Sequence, residues 1–122
     1  MSEAVNAVSV KGIYKNYGDV EALRDMSLDF PKGQLTSLLG PSGCGKTTLL
    51  KIIAGLLIPN QGEVYVNDQI VTEPGPDRAF VFQDFALMPW ASVIRNVAFG
   101  LELRKVAKSE REDIARKYIK QV

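Results

Sequence analysis

Apolar and polar positions alternate in two stretches near the start of the chain. They do so loosely from Val8 to Tyr14 and cleanly over Met26-Ser27-Leu28-Asp29-Phe30, the period-two signature of strands with one buried face. Pro31-Lys32-Gly33 breaks the pattern and turns the chain into Gln34-Leu35-Thr36-Ser37-Leu38-Leu39, a largely apolar run that reads as a short strand. From Thr48 to Ala54 the apolar residues Leu49, Leu50, Ile52, Ile53 and Ala54 fall densely enough for a buried helix closed by Gly55. Pro59-Asn60-Gln61-Gly62 marks a turn. Glu63-Val64-Tyr65-Val66 and Gln69-Ile70-Val71 then read as strands of an antiparallel hairpin, joined tightly by Asn67-Asp68. Thr72 to Asp77 reads as extended loop, and the fully apolar Ala79-Phe80-Val81-Phe82 predicts a buried strand.

Beyond Gln83 the period lengthens. A short helix is expected near Val93 to Phe99, and a second from Ser109, whose hydroxyl forms a capping box with Glu112. Ile114, Ala115, Tyr118, Ile119 and Val122 would make its apolar face, with Lys108, Arg111, Lys117 and Lys120 mostly on the solvated side.

Between the predicted strand at Gln34–Leu39 and the helix that follows lies Gly40-Pro41-Ser42-Gly43-Cys44-Gly45-Lys46-Thr47, a match to G-x-x-x-x-G-K-[ST]. The chemistry explains the spacing. Successive backbone N–H groups must curl round an anion, so glycine is needed where φ is positive or a Cβ would block approach. The helix presents its unsatisfied N-terminal N–H groups and the positive end of its macrodipole to the same phosphates. Lys46 reaches the β- and γ-phosphates, and the Thr47 hydroxyl takes a place on Mg²⁺. Strand, glycine loop and helix in this order are the setting such a loop requires, and they predict a nucleoside triphosphate site.

Composition narrows the alternatives. The chain has 122 residues, enough for a real core, with 46% hydrophobic and 24% charged residues and a net charge of +1. That charge offers no strong field for nucleic acid or anionic lipid. Any apolar run is far shorter than the roughly 20 residues that span a bilayer, and the N-terminus lacks the basic and apolar regions of a signal peptide. One cysteine forms no internal disulfide, in keeping with a reducing cytoplasm, and with no histidine present no step here uses an imidazole. Cys44 itself reads either as a small filler of the loop or as a thiol made more acidic by the helix N-terminus.

With these residues placed, the chain from about Val8 onward resembles the first half of an ABC transporter ATP-binding subunit. Lys15-Asn16-Tyr17-Gly18 and Glu21-Ala22-Leu23-Arg24-Asp25-Met26-Ser27-Leu28 are similar to the family's opening, and Phe80-Val81-Phe82-Gln83 to its Q-loop. The resemblance implies an α/β P-loop NTPase fold, with the ATP-binding core and its antiparallel β subdomain over residues 1–82 and the start of the helical subdomain over 83–122. It implies ATP and Mg²⁺ as cofactors. Tyr17 would stack on adenine, though Tyr14 competes for that role. Gly40, Pro41, Ser42, Gly43, Cys44, Gly45, Lys46, Thr47 and Thr48 would hold the phosphates. Thr47 and Gln83 would hold the metal, and Lys46 and Gln83 would act in catalysis.

Partners follow from the same resemblance: a second ATP-binding subunit, transmembrane permease subunits and, indirectly, a solute-binding protein, on the cytoplasmic face of the cell membrane and without nucleic acid. Pro74-Gly75-Pro76-Asp77-Arg78 and Leu87-Met88-Pro89-Trp90 resemble importers of nitrate, sulfonate or taurine. Trp90 reads equally as subdomain core or as part of the face toward the permease. The family's serine-glycine signature, its Walker B strand and its switch histidine have no match here, so the chain reads as a truncated one that is inactive alone. Two other readings stay open, a different P-loop enzyme of the kinase or GTPase class and a non-transport ABC ATPase.

Overall fold

The computed structural model describes residues 5–43, 45–84 and 86–122. The chain divides into two units, Met1–Phe80 and Val81–Val122. The first is built round β1 (Asn6–Tyr17), which pairs antiparallel on one side with β2 (Val20–Pro31) and on the other with β3 (Gln61–Val66). With β4 (Gln69–Ile70) the sheet order is β2-β1-β3-β4. Turn chemistry sets the register at both ends. Gly18, at φ +59°, opens the two-residue turn between Tyr17 and Val20. Asn67 and Asp68, at φ +49° and +64°, make the doubly left-handed turn that matches the twist of the β3–β4 hairpin.

The loose alternation in β1 has a local cause. The β1–β2 register shifts between Val10 and Ile13, where Gly12 has positive φ, and again between Ile13 and Lys15, where Asp25 of β2 does; the freed Gly12 amide donates to the Ser27 hydroxyl at 2.9 Å. An extra residue there changes which side chains face inward. Val10 and Ile13 are therefore both buried, though three apart, and they join Leu23 and Val64 in the core. Onto this core packs α1 (Lys46–Ala54) through Leu49 and Ile52, one turn apart on one helix face. Gly55, at φ +84°, ends it: its amide donates to the Ile52 carbonyl at 3.1 Å and that of Leu56 to Lys51 at 2.9 Å, a Schellman closure.

Two predicted strands do not form. Residues 34–40 and 79–82 lie outside the sheet, and Leu35, Leu39 and Val81 are 98%, 92% and 93% exposed. Only Leu38 of the first run packs against the core. An apolar run becomes a strand only by pairing. One buried on both faces needs neighbours from distant sequence, which the antiparallel hairpins here do not supply.

The second unit pairs α2 (Val93–Leu103) with α3 (Lys108–Gln121), and the buried Ala98 and Ala115 let the two helices approach closely. Ser92 caps α2, accepting from the Arg95 amide at 3.3 Å. The capping box expected at Ser109 is absent. The helix begins one residue earlier, with Ala107 as cap and no side-chain bond, while the Arg111 guanidinium donates to the Val106 carbonyl at 3.2 Å. Of the apolar face expected on α3, Ala115 is buried and Ile114 and Ile119 half-buried, whereas Tyr118 and Val122 face solvent. Trp90 is 77% exposed, which removes it from the core.

Candidate nucleotide-binding site

The phosphate loop takes its shape from glycines that no other residue could replace without strain. Gly43 and Gly45 have φ of +83° and +95°. Gly45 is constrained twice, since a Cβ there would come within 2.7 Å of both the Ala22 carbonyl oxygen and Leu23 Cδ2 on β2. The loop is thereby pressed against the sheet at the point where α1 begins. Cys44, between these two glycines, lies outside the described residues.

Gly45 is also the N-cap of α1, and it brings no side-chain oxygen. The first turn holds no acidic residue. The first intrahelical bond runs from the Leu49 amide to the Gly45 carbonyl at 2.9 Å, so the amides of Lys46, Thr47 and Thr48 have no acceptor within the helix. These donors, with the positive end of the helix dipole, suit an anion. The Lys46 ammonium reaches back across the loop to donate to the Gly40 carbonyl. Thr47 is exposed and Thr48 half-buried, while Gly40, Pro41 and Ser42 are exposed on the loop.

The far end of α1 is held by a residue whose role the sequence did not reveal. Arg78 donates through Nε to the Ala54 carbonyl at 3.3 Å, through a terminal nitrogen to the Glu73 carbonyl, and pairs with Asp77 at 3.1 Å. A guanidinium at the last carbonyls of the helix favours the same dipole that faces the loop. Gly55 permits this packing, because a Cβ there would lie 2.4 Å from the Glu73 carbonyl.

Tyr17 ends β1 with its ring about half exposed, while Tyr14 is half-buried in the sheet opposite Gln61. The Lys15 ammonium lies 5.4 Å from the Tyr17 ring centroid and donates to the Ile58 carbonyl at 3.0 Å. Gln83 is exposed and belongs to the second unit, so the predicted residues fall in two units rather than one described constellation. Outside the loop, on β3, the Glu63 carboxylate accepts from the Tyr65 hydroxyl and raises that phenol above its ordinary value, with desolvation and the carboxylate's charge adding to the effect.

At the start of α1 the exposed Thr47 hydroxyl is the oxygen that the motif offers to a divalent metal. Among the described residues no cluster of three or more His, Cys, Asp or Glu could hold one. That donor set fits magnesium, a hard ion that keeps its waters and binds through one or two protein oxygens plus substrate phosphates.

Comparison with known proteins adds to this geometry. The family model described as ABC transporter matches residues 23–122. An uncharacterized ABC transporter ATP-binding protein of Methanocaldococcus jannaschii is 50% identical over 107 residues, 88% of this chain and 40% of that protein. A taurine import ATP-binding protein of Roseobacter denitrificans is 46% identical over 109 residues, covering 89% of this chain and 41% of its own. A dimeric ATP-binding cassette solved in a post-hydrolysis state with ADP and Pi superposes with a TM-score of 0.81 at 31% identity, over 93% of this chain and 56% of that one. The chain thus spans about half the length of the relatives it matches.

Proposed function

The chain belongs to the ABC transporter family as part of an ATP-binding domain, and from that premise we propose that it holds the triphosphate of ATP in the loop from Gly40 to Thr47. One observation carries the reading: two left-handed glycines, Gly43 and Gly45, deliver the chain into a helix whose first amides no side chain caps. The loop amides and Lys46 bind the β- and γ-phosphates, Lys46 leaving its Gly40 carbonyl for a charge-assisted bond to phosphate. By the family resemblance Thr47 and Gln83 would hold Mg²⁺, which would supply neutralisation of the phosphates' charge. Tyr17, the more exposed of the two candidate tyrosines, stacks on the base.

In the complete protein the reaction is Mg²⁺-dependent hydrolysis of ATP, with Lys46 and Gln83 at the reacting end and the general base drawn from outside these residues. Residues 1–82 serve as the nucleotide-binding part and 83–122 as the start of a helical part. The working unit is a dimer docked on permease subunits at the cytoplasmic face of the membrane, fed by a solute-binding protein. The solute is a small anion of the taurine, sulfonate or nitrate kind. The 46% identity to a taurine import protein supports that choice, as do Pro74-Gly75-Pro76-Asp77-Arg78 and Leu87-Met88-Pro89-Trp90.

The test is Lys46→Ala, followed by titration with ATP and with inorganic tripolyphosphate. Removing the ammonium should cost both ligands about tenfold or more, the scale of hydrogen bonds to charged groups. Undiminished affinity for both would remove the phosphate role of the loop.

A further inference from the structure

The end of β1 is tied to the segment that leaves the phosphate-loop helix by three separate bonds. Lys15 Nζ donates to the Ile58 carbonyl at 3.0 Å, the Asn16 amide donates to Asn60 Oδ1 at 2.7 Å, and the Asn60 amide donates to the Tyr14 carbonyl at 2.8 Å. Three consecutive residues of β1 are thereby fixed to the Ile58-Pro59-Asn60 turn, whose proline holds its own φ. That turn follows within a few residues of the Schellman closure of α1. The strand carrying Tyr17 is thereby tied to the segment that leaves the C-terminal end of the helix that Lys46 begins.

Lys15 does a second thing from the same position. Residues 15 and 17 share a face of the strand, and the ammonium stands 5.4 Å from the Tyr17 centroid, within cation–π range. Its bond to the Ile58 carbonyl keeps it there. A half-exposed tyrosine at the tip of a hairpin would otherwise turn freely about its side-chain torsions, and that freedom would be lost on binding.

We propose that Lys15, anchored by the Ile58–Asn60 turn, backs the Tyr17 ring as a positioning residue and fixes it as a stacking platform for a nucleobase. The assignment rests on the nucleotide-binding reading above and adds to it the group that prepares its base end. Stacking of this kind depends on a π-face and tolerates any base, so the platform serves binding strength rather than base choice.

The experiment is an NMR titration of the chain with ATP and with inorganic tripolyphosphate, in the parent and in Lys15→Met, Lys15→Arg and Tyr17→Ala. A lost surface charge weakens both ligands alike, so the informative quantity is the ratio of the two affinities. Lys15→Met should lower that ratio about two- to fivefold, the scale of an exposed cation–π contact. Lys15→Arg, which keeps a cation over the ring, should restore it. An unchanged ratio in Lys15→Met, with Tyr17→Ala lowering it, would remove the brace and leave the nucleotide reading intact. An unchanged ratio in Tyr17→Ala would remove the base-stacking reading and the brace together.

Discussion

The segments that lead into and out of the phosphate loop are both leucine-rich, and they meet opposite fates. On the outgoing side Leu49 and Ile52 are almost fully buried against Val10, Ile13, Leu23 and Val64. On the incoming side Leu35 and Leu39 stand in solvent, and only Leu38 touches the core. The outgoing helix closes its own hydrogen bonds and needs the sheet only for its apolar face. The incoming run has no internal bonds and needs a neighbouring strand. The loop is therefore held in shape from its helix side, through Gly45 pressed on β2, Leu49 in the core and Arg78 at the far end of α1.

The sharpest way to break this asymmetry is Gly45→Ala. A left-handed φ of +95° costs a non-glycine residue about 1–3 kcal/mol. Overlap with the Ala22 carbonyl and Leu23 adds a cost of similar size, about 1–3 kcal/mol, unless β2 moves. Denaturant unfolding should show both. Tripolyphosphate binding should fall with them, because β2 can give way only by releasing the loop. A fully stable variant would mean that the contact with β2 is not what shapes the loop.

Leu49→Ala comes next. It empties a buried site between helix and sheet, and a loss of about 2–5 kcal/mol is expected, measurable as a lower denaturation midpoint. Phosphate affinity in the fraction that remains folded should change little, since the Leu49 side chain faces the core and the anion-facing amides belong to Lys46, Thr47 and Thr48. A loss well below this range would show that α1 is held chiefly by its ends.

The same asymmetry explains what could be read in the sequence. The phosphate loop, α1 with its Gly55 stop and the Asn67-Asp68 hairpin are local objects, each written in a few adjacent residues whose backbone demands are specific. The runs 34–39 and 79–82 depend on partners distant in sequence, and their apolar character alone could not say whether those partners are present. The bulges at Gly12 and at Asp25 hid the true length of β1 and β2 by shifting the phase of alternation. The Ser109 box lost to a start at Ala107. As candidates, Lys46, Thr47 and Tyr17 were visible because a motif or resemblance names them. Lys15, Asn60 and Arg78 were not, because their bonds span 43, 44 and 24 residues.

The smallest expected effect tests the incoming side. Leu35 is 98% exposed and belongs to no strand, so Leu35→Ser removes no buried contact. The change in unfolding free energy should stay within about 0.5 kcal/mol, the range of ordinary surface substitutions. It should also reduce self-association, since Leu35 and Leu39 are apolar side chains left open on an unpaired run. Chemical denaturation and light scattering, run on the same preparation, separate the two outcomes. A loss approaching that of Leu49→Ala would show that the incoming run is packed in solution, and that both sides of the loop share the work of holding it.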